Sequence, residues 1–264
     1  MKNIKINGIS VNDYGGEGSP LVFIHAFPLC SRMWDPQVEH FKNKYRVITY
    51  DIRGLGYSNE LSGYLFTMED LTDDLFSILD EMKIQKPAVC GLSVGGYILL
   101  RALVREQDRF RAVILADTKS ERDDNEGLLN RSAAIKTLRE GNKQQFIEGQ
   151  LKKLLSAESY AKSEIREFTE KMMNWMDEKG MMAVLIAIAT RTNTMFELKN
   201  IRTPALIITG KEDVLTPPEK AFYLREYLSG SVMKIIPGAG HLSNIEAPVE
   251  FNKAAEIFLS ENIK

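Results

Sequence analysis

The sequence predicts an α/β fold built on a mainly parallel central sheet with helices on both faces. Short runs such as PLVFIHA (20–26) and YRVITYD (45–51) are apolar at consecutive positions, as strands covered on both faces must be. These runs alternate with helical stretches long enough to cross between parallel neighbours. The alternation breaks near Ser120 and resumes near Asn200, leaving a helical insertion between two sheet strands.

Taken in order, IKING and ISVNDYG read as a hairpin with Gly8 near the turn. The strand PLVFIHA follows, then the helix SRMWDPQVEHFKN with Ser31 as its expected cap, then the strand YRVITYD. Thr67 opens a helix in the Thr-x-x-Asp pattern that satisfies early backbone donors. Met68, Leu71, Leu75, Ile78, Leu79 and Met82 form one apolar stripe along it. Strand PAVCGL, helix GGYILLRALV and strand FRAVILAD come next. After the insertion the rhythm returns with strand PALIITG (204–210), the helix PPEKAFYLREYL and strand SVMKIIPG. Phe251, Ala254, Ala255, Phe258 and Leu259 give the last helix its buried face.

The insertion shows no strand pattern, is rich in Lys, Glu and Gln, and has no Pro-, Gly- or Ser-rich linker at either end. The expected organisation is a core of residues 1–118 and 201–264 carrying a helical cap, 119–200.

Composition narrows the function classes. Across 264 residues the net charge is −2 with both signs interspersed, so no broad positive face and no nucleic-acid partner is expected. The opening MKNIKINGIS lacks an apolar signal core, and the longest apolar run, MMAVLIAIA (181–189), falls short of the roughly 20 residues that span a bilayer. A cytoplasmic protein with no membrane partner is expected. Cys30 and Cys90 make neither a disulfide framework nor a metal-ligand spacing, so no metal is expected.

The segment AVCGLSVGGY (88–97) carries the first chemical signal. A serine hydroxyl is a poor nucleophile unless an adjacent base takes its proton, and it must project clear of its neighbours. A sharp strand-to-helix turn achieves this, with glycines two positions before and after to avoid clashes. Gly91, Ser93 and Gly95 stand at those positions, between an apolar strand and a helix. Of the three histidines, His40 falls on a charged helix pattern and His25 ends a strand. His241 lies in a glycine-rich loop after a strand, where α/β folds place ligand chemistry, and is the expected base. Glu212, Asp213 and Asp117 follow strand ends. Asp213 is favoured as the orienting acid because its loop runs at once into a helix through Thr216 and Pro217. Asp117, which leads into the insertion, is the alternative.

The order Ser93, Asp213, His241, with HAFPLCSRMWDPQ, YDIRGLGYS, GLSVGG, TGKEDVLTPP and GAGHLSNIEAPVEF around it, resembles the α/β-hydrolase superfamily. The resemblance spans roughly residues 20–118 and 200–260 and is greatest to the 3-oxoadipate enol-lactonase-like and small carboxylesterase branch. It implies an α/β-hydrolase fold in which the insertion is the family's cap. It also implies an oxyanion hole made by the backbone amides of Val94, after the nucleophile, and Phe27, in the loop after the LVFIH strand. Ala26 stands where the family commonly has glycine, and would strain a loop that needed positive φ. Asp51, Arg53, His25 and Cys90 are expected to be structural, and Cys30 lacks an elbow to present it.

The insertion's methionines Met172, Met173, Met176, Met181, Met182 and Met195 suit helix packing or an adaptable apolar lid. Phe27, Leu29 and Trp34 are candidates for the pocket floor; Arg32 and Arg191 are candidates for a cation that would meet an anionic substrate there, with surface solvation the expected fate of each. The function these features imply is a serine hydrolase of a small ester or lactone, needing no cofactor or metal. The same triad could instead serve a thioester, a carbon–carbon bond, acyl transfer or perhydrolysis. A hydrolase-fold receptor with little turnover is the non-enzymatic alternative.

Overall fold

The computed structural model describes residues 1–61 and 65–263. The chain opens with β1 (Lys2–Ile6) and β2 (Ile9–Asp13), an antiparallel hairpin. Its two turn residues, Asn7 and Gly8, have φ of 50° and 84°, the left-handed geometry that matches strand twist. The chain continues through β3 (Pro20–Ile24), α1 (Asp35–Phe41), β4 (Arg46–Tyr50), α2 (Met68–Glu81), β5 (Ala88–Leu92), α3 (Val94–Glu106) and β6 (Ala112–Ala116). Five helices follow: α4 (Asn125–Arg139), α5 (Lys143–Leu154), α6 (Ala157–Ala161), α7 (Ser163–Trp175) and α8 (Glu178–Ala189). The chain ends with β7 (Ala205–Gly210), α9 (Pro218–Tyr227), β8 (Val232–Ile236), α10 (Ser243–Glu246) and α11 (Pro248–Asn262).

The eight strands form one sheet in the order β1-β2-β4-β3-β5-β6-β7-β8. From β4 onward every pairing is parallel, and β2 joins β4 antiparallel. Strands β5, β6 and β7 are buried at every position, which accounts for their unbroken apolar sequences. The chain first steps from β3 to β4 on one side and then to β5 on the other. The order therefore reverses at β3, and the carboxyl ends of β3 and β5 flank the crevice where ligands bind in open α/β sheets.

Local signals act as their chemistry requires, with one exception. Thr67 caps α2 through a reciprocal capping box with Asp70. Ser31 caps no helix. It begins a 3₁₀ turn (Ser31–Trp34) whose N-cap position is Cys30, its N–H donates to Asp51, and its hydroxyl accepts from Asn12. The Asp51 carboxylate also receives Tyr57 N–H at 2.8 Å, so it organises this loop rather than facing a ligand. Arg53 forms a two-pronged pair with Asp74. Among the described residues, no helix is long and apolar enough to cross a membrane.

Candidate active site

Ser93 sits at the turn between β5 and α3 with φ 55° and ψ −114°. Backbone this unusual in a non-glycine residue costs on the order of 1–3 kcal/mol and persists only where the surroundings enforce it. The flanking glycines show how it is enforced. A Cβ on Gly91 would lie 2.3 Å from the Gly95 carbonyl oxygen, and one on Gly95 would lie 2.3 Å from that of Ile24. Strand, turn and helix thus pack closer than any side chain permits, and the serine is carried to the carboxyl edge of the sheet.

His241 follows β8 on the loop leading to α10. Its Nδ1 is 2.8 Å from Asp213 Oδ2, on the loop after β7, and both side chains are buried. A carboxylate can only accept, so Nδ1 carries the proton and Nε2 is left as the acceptor nitrogen. Asp213 is braced in turn by its own loop. Its Oδ1 accepts from the N–H groups of Leu215 and Thr216 at 2.8 and 3.0 Å, and its Oδ2 accepts from the Thr216 hydroxyl at 2.7 Å. Burial pushes the Asp213 carboxyl up, but His241 and the Thr216 donors outweigh it and hold the group below its ordinary value. For His241 burial acts downward, and the adjacent Asp213 carboxylate more than offsets it, so the imidazole titrates above its ordinary value.

Ser93 and His241 line one cavity of about 390 Å³, together with Phe27 and Tyr97. Phe27 meets Phe146 of α5 edge-to-face, and Leu154, Leu185 and Ile188 supply further apolar wall from α5 and α8. Among the described residues, neither the Phe27 nor the Val94 backbone N–H has an acceptor, although both residues are buried. Ala26 adopts no positive φ, so the strain expected from its lack of glycine does not arise. Leu29 and Trp34 are buried in the core instead of lining the cavity, with Trp34 against Phe23.

The other histidines have separate duties. Buried His25 lies 2.9 Å from the Ala26 carbonyl through Nδ1 and accepts Ile52 N–H through Nε2, which uses both ring nitrogens. His40 pairs with Glu256 near the surface. Burial, with Asp51 nearby, pushes the Cys30 thiol up to about 12, far from a reactive thiolate. Asp117 lies close by but points elsewhere: its carboxylate takes Gly210 N–H and the Ser243 hydroxyl.

The insertion contributes charge that the sequence left unplaced. Lys119, Asp123 and Arg131 line the cavity, and Asp123 pairs with Lys119, Arg131 and Arg191. Arg191, expected at the surface, is buried, with its guanidinium 4.2 Å from the centre of the Tyr97 ring. Arg32 does stay exposed and pairs with Asp35. Met172, Met173, Met176 and Met181 are buried among helices and none lines the cavity, so they pack the insertion and form no lid over Ser93. The insertion also docks directly on the histidine loop. His241 N–H donates to the Leu154 carbonyl at 3.0 Å, and Glu246 accepts from both Ser156 N–H and Gly240 N–H. No sequence pattern signalled Leu154 or Glu246. Among the described residues, no cluster of His, Cys, Asp or Glu is arranged to hold a metal ion.

Comparison with known proteins places the fold. The family model of the α/β hydrolase fold matches residues 19–248. The chain is 28% identical over 244 residues to 3-oxoadipate enol-lactonase 1 of Acinetobacter baylyi, covering 92% of this chain and 90% of that protein. A thermophilic esterase from Thermogutta terrifontis superposes with a TM-score of 0.93 at 27% identity, over 100% of both chains. The enol-lactonase of Burkholderia xenovorans LB400 superposes with a TM-score of 0.88 at 25% identity, covering 98% of this chain and 100% of that one. With the elbow, the sheet order and the matched family model all in place, the chain belongs to the α/β-hydrolase fold family.

Proposed function

We propose that the protein is a serine hydrolase that cleaves a small carboxylic ester or lactone through an acyl-enzyme, with Ser93 as nucleophile, His241 as base and Asp213 as orienting acid. One observation carries this reading: His241, held by Asp213 at 2.8 Å, lines the same cavity as the elbow serine. At about 390 Å³ that cavity suits a small substrate.

In the first half-reaction the Ser93 hydroxyl oxygen attacks the carbonyl carbon while His241 Nε2 takes its proton. The Phe27 and Val94 amides, which have no acceptor among the described residues, donate to the oxyanion. Asp213 holds the imidazole in the tautomer with Nδ1 protonated and stabilises the imidazolium that forms. As the tetrahedral species collapses, the carbon–oxygen bond to the leaving alkoxide breaks and His241 returns the proton to it. Water then attacks the acyl-enzyme with His241 again as base, and the acid departs with Ser93 restored. In a lactone both products are one hydroxy acid or its tautomer. Residues 119–200 act as the cap that closes the cavity. Similarity to an enol-lactonase and an esterase favours ester and lactone substrates over the thioester, carbon–carbon, acyl-transfer and perhydrolase uses of the same triad.

The test is turnover of p-nitrophenyl acetate and butyrate, with fluorophosphonate labelling, by the wild type and by Ser93→Ala. Turnover and labelling lost together in Ser93→Ala are the expected result. A wild type that neither turns over nor labels overturns the reading in favour of a hydrolase-fold receptor.

A further inference from the structure

Three consecutive residues at the end of β6 hydrogen-bond to all three segments that carry the proposed triad. The Ala116 carbonyl accepts Ser93 N–H at 3.0 Å, and the Thr118 hydroxyl donates to the Ser93 carbonyl at 2.9 Å. Between them, Asp117 Oδ1 accepts Gly210 N–H at 2.8 Å, three residues before Asp213. Asp117 Oδ2 accepts from the Ser243 hydroxyl at 2.5 Å and from Ser243 N–H at 3.4 Å, two residues after His241.

The position is demanding. Asp117 is wholly buried and has φ 43°, a left-handed conformation that aspartate and asparagine tolerate better than most side chains. Extending the sheet does not call for the carboxyl, because Asp117 N–H already donates to the Ile208 carbonyl at 2.8 Å. Burying a carboxyl is costly unless it is hydrogen-bonded, and the carboxyl's partners stand where β7 enters the acid loop and where the histidine loop enters α10. The side chain therefore ties the two segments together from beneath, adding to the backbone bonds from Lys211 N–H to the Ile236 carbonyl and from Glu212 N–H to the Ala239 carbonyl, both at 2.9 Å.

We infer that Asp117 is a positioning residue for the proposed reaction: its carboxyl clamps the Asp213 loop to the His241 loop and so fixes the imidazole relative to Ser93. This rests on the serine-hydrolase reading for its kinetic consequence but not for its structural one. Burial, and then the charge of Asp213, hold the Asp117 carboxyl well above its ordinary value. The groups facing it are Asp213 and His241 on the two loops and the Cys90 thiol on β5, and Glu246 also faces His241.

Asparagine preserves the clamp, since its side-chain oxygen can accept from Gly210 N–H while its amide donates to the Ser243 hydroxyl. Alanine removes it. Two readouts are measured on the full chain: kcat and KM for p-nitrophenyl acetate, normalised to fluorophosphonate-titrated sites, and the downfield proton resonance of the His241 Nδ1–H···Asp213 hydrogen bond, identified by its loss in His241→Gln. Asp117→Ala is expected to lower kcat about thirtyfold with KM within about twofold, and to broaden or remove the resonance. Asp117→Asn is expected to recover at least about tenfold of that loss and to restore the resonance.

Should Asp117→Ala fail to fold, Ser243→Ala, which deletes a single donor, takes its place with a smaller fall in kcat and the same broadening. Folded alanine variants with wild-type kcat and an unaltered resonance overturn the inference, as does an asparagine variant as impaired as the alanine one. If the wild type turns over no ester, the hydrolase reading fails while the resonance still decides the clamp. Loss in Asp117→Ala with retention in Asp117→Asn supports it, and no change refutes it.

Discussion

The Asp213 carboxylate and the His241 imidazole are 28 residues apart in the chain and 2.8 Å apart in the folded protein. They come from the loops after adjacent parallel strands, β7 and β8, so the sheet itself brings them together. The Thr216 hydroxyl completes the arrangement, 2.7 Å from Asp213 Oδ2 and 3.3 Å from His241 Nδ1.

In the proposed mechanism the pair sets a pH dependence for catalysis. His241 must be neutral to take the Ser93 proton, and it titrates above the ordinary value of 6.5 because the Asp213 carboxylate outweighs its burial. The acidic limb of kcat/KM for an ester substrate is therefore expected to have its midpoint above pH 6.5. In Asp213→Asn the carboxylate is gone, so the midpoint should move to lower pH while kcat falls by on the order of 10⁴. A midpoint unmoved in Asp213→Asn would show that this carboxylate does not govern the base.

The same shifts act on stability, with opposite signs at the two ends. His241 is raised on folding, so its contribution is fully present below 6.5 and is lost as pH rises through the raised value. Asp213 is lowered, so its contribution is present above 3.8 and is lost as pH falls through the depressed value. The wild type should therefore lose stability, relative to Asp213→Asn, as pH climbs past the His241 titration. Urea midpoints for both proteins from about pH 5 to about pH 9 measure this directly.

Thr216→Val tests how far the acid depends on its own loop. The substitution keeps the β-branched shape and deletes the hydroxyl donated to Asp213 Oδ2. A hydrogen bond to a charged group contributes about 1.5–3 kcal/mol, so kcat should fall roughly tenfold or more with little change in KM. Equal kcat in the two proteins would mean that the backbone donors of Leu215 and Thr216 suffice.

The chemistry was most legible where residue types are dictated by backbone. The elbow at Ser93 leaves no space for a side chain at Gly91 or Gly95, and so it writes itself into the sequence. Strands β5, β6 and β7 were legible for a related reason, since burial on both faces forbids polar residues. Choosing between Asp213 and Asp117 was harder, because both follow strand ends. The sequence favours Asp213 for its short loop to Thr216 and Pro217, and in the structure the Leu215 and Thr216 amides and the Thr216 hydroxyl hold that carboxylate. The cavity wall was not legible. Its helices are amphipathic in sequence, but which face turns to Ser93 depends on how α4, α5 and α8 pack, and no local pattern encodes that. Arg191 shows the difficulty: an arginine beside a helix end reads as solvated, yet Asp123, the Glu121 and Ile188 carbonyls and the Tyr97 ring together bury it.

Gly95→Ala should disable the elbow. The added methyl carbon would lie 2.3 Å from the Ile24 carbonyl oxygen and 3.0 Å from that of His25, both backbone atoms where β3 ends. Relief requires α3 to move away from β3, which displaces Ser93 and the Phe27 loop together. Overpacking of this kind costs about 1–3 kcal/mol, and the expected result is a lowered urea midpoint together with loss of fluorophosphonate labelling. Wild-type labelling in a stable Gly95→Ala protein would mean that the turn has slack that the geometry does not show.

Asp123→Ala should be among the most destabilising single changes outside the proposed triad. Asp123 is buried and receives Arg191, Arg131 and Lys119, and the three cations together hold its carboxyl well below the ordinary range against the effect of burial. Removing it strands the Arg191 guanidinium, whose side chain is only 3% exposed, without its carboxylate partner. Breaking a buried pair in this way costs about 3–5 kcal/mol, because an uncompensated charge remains in a poorly solvated place. The loss should be largest near neutral pH, and Asp123→Asn should recover part of it by accepting one guanidinium hydrogen bond. A double variant, Asp123→Ala with Arg191→Met, should recover more by removing the stranded charge and keeping apolar contact with Tyr97. Urea unfolding of the four proteins tests the interpretation, and a double variant no more stable than Asp123→Ala would assign the loss to Arg131 and Lys119 instead.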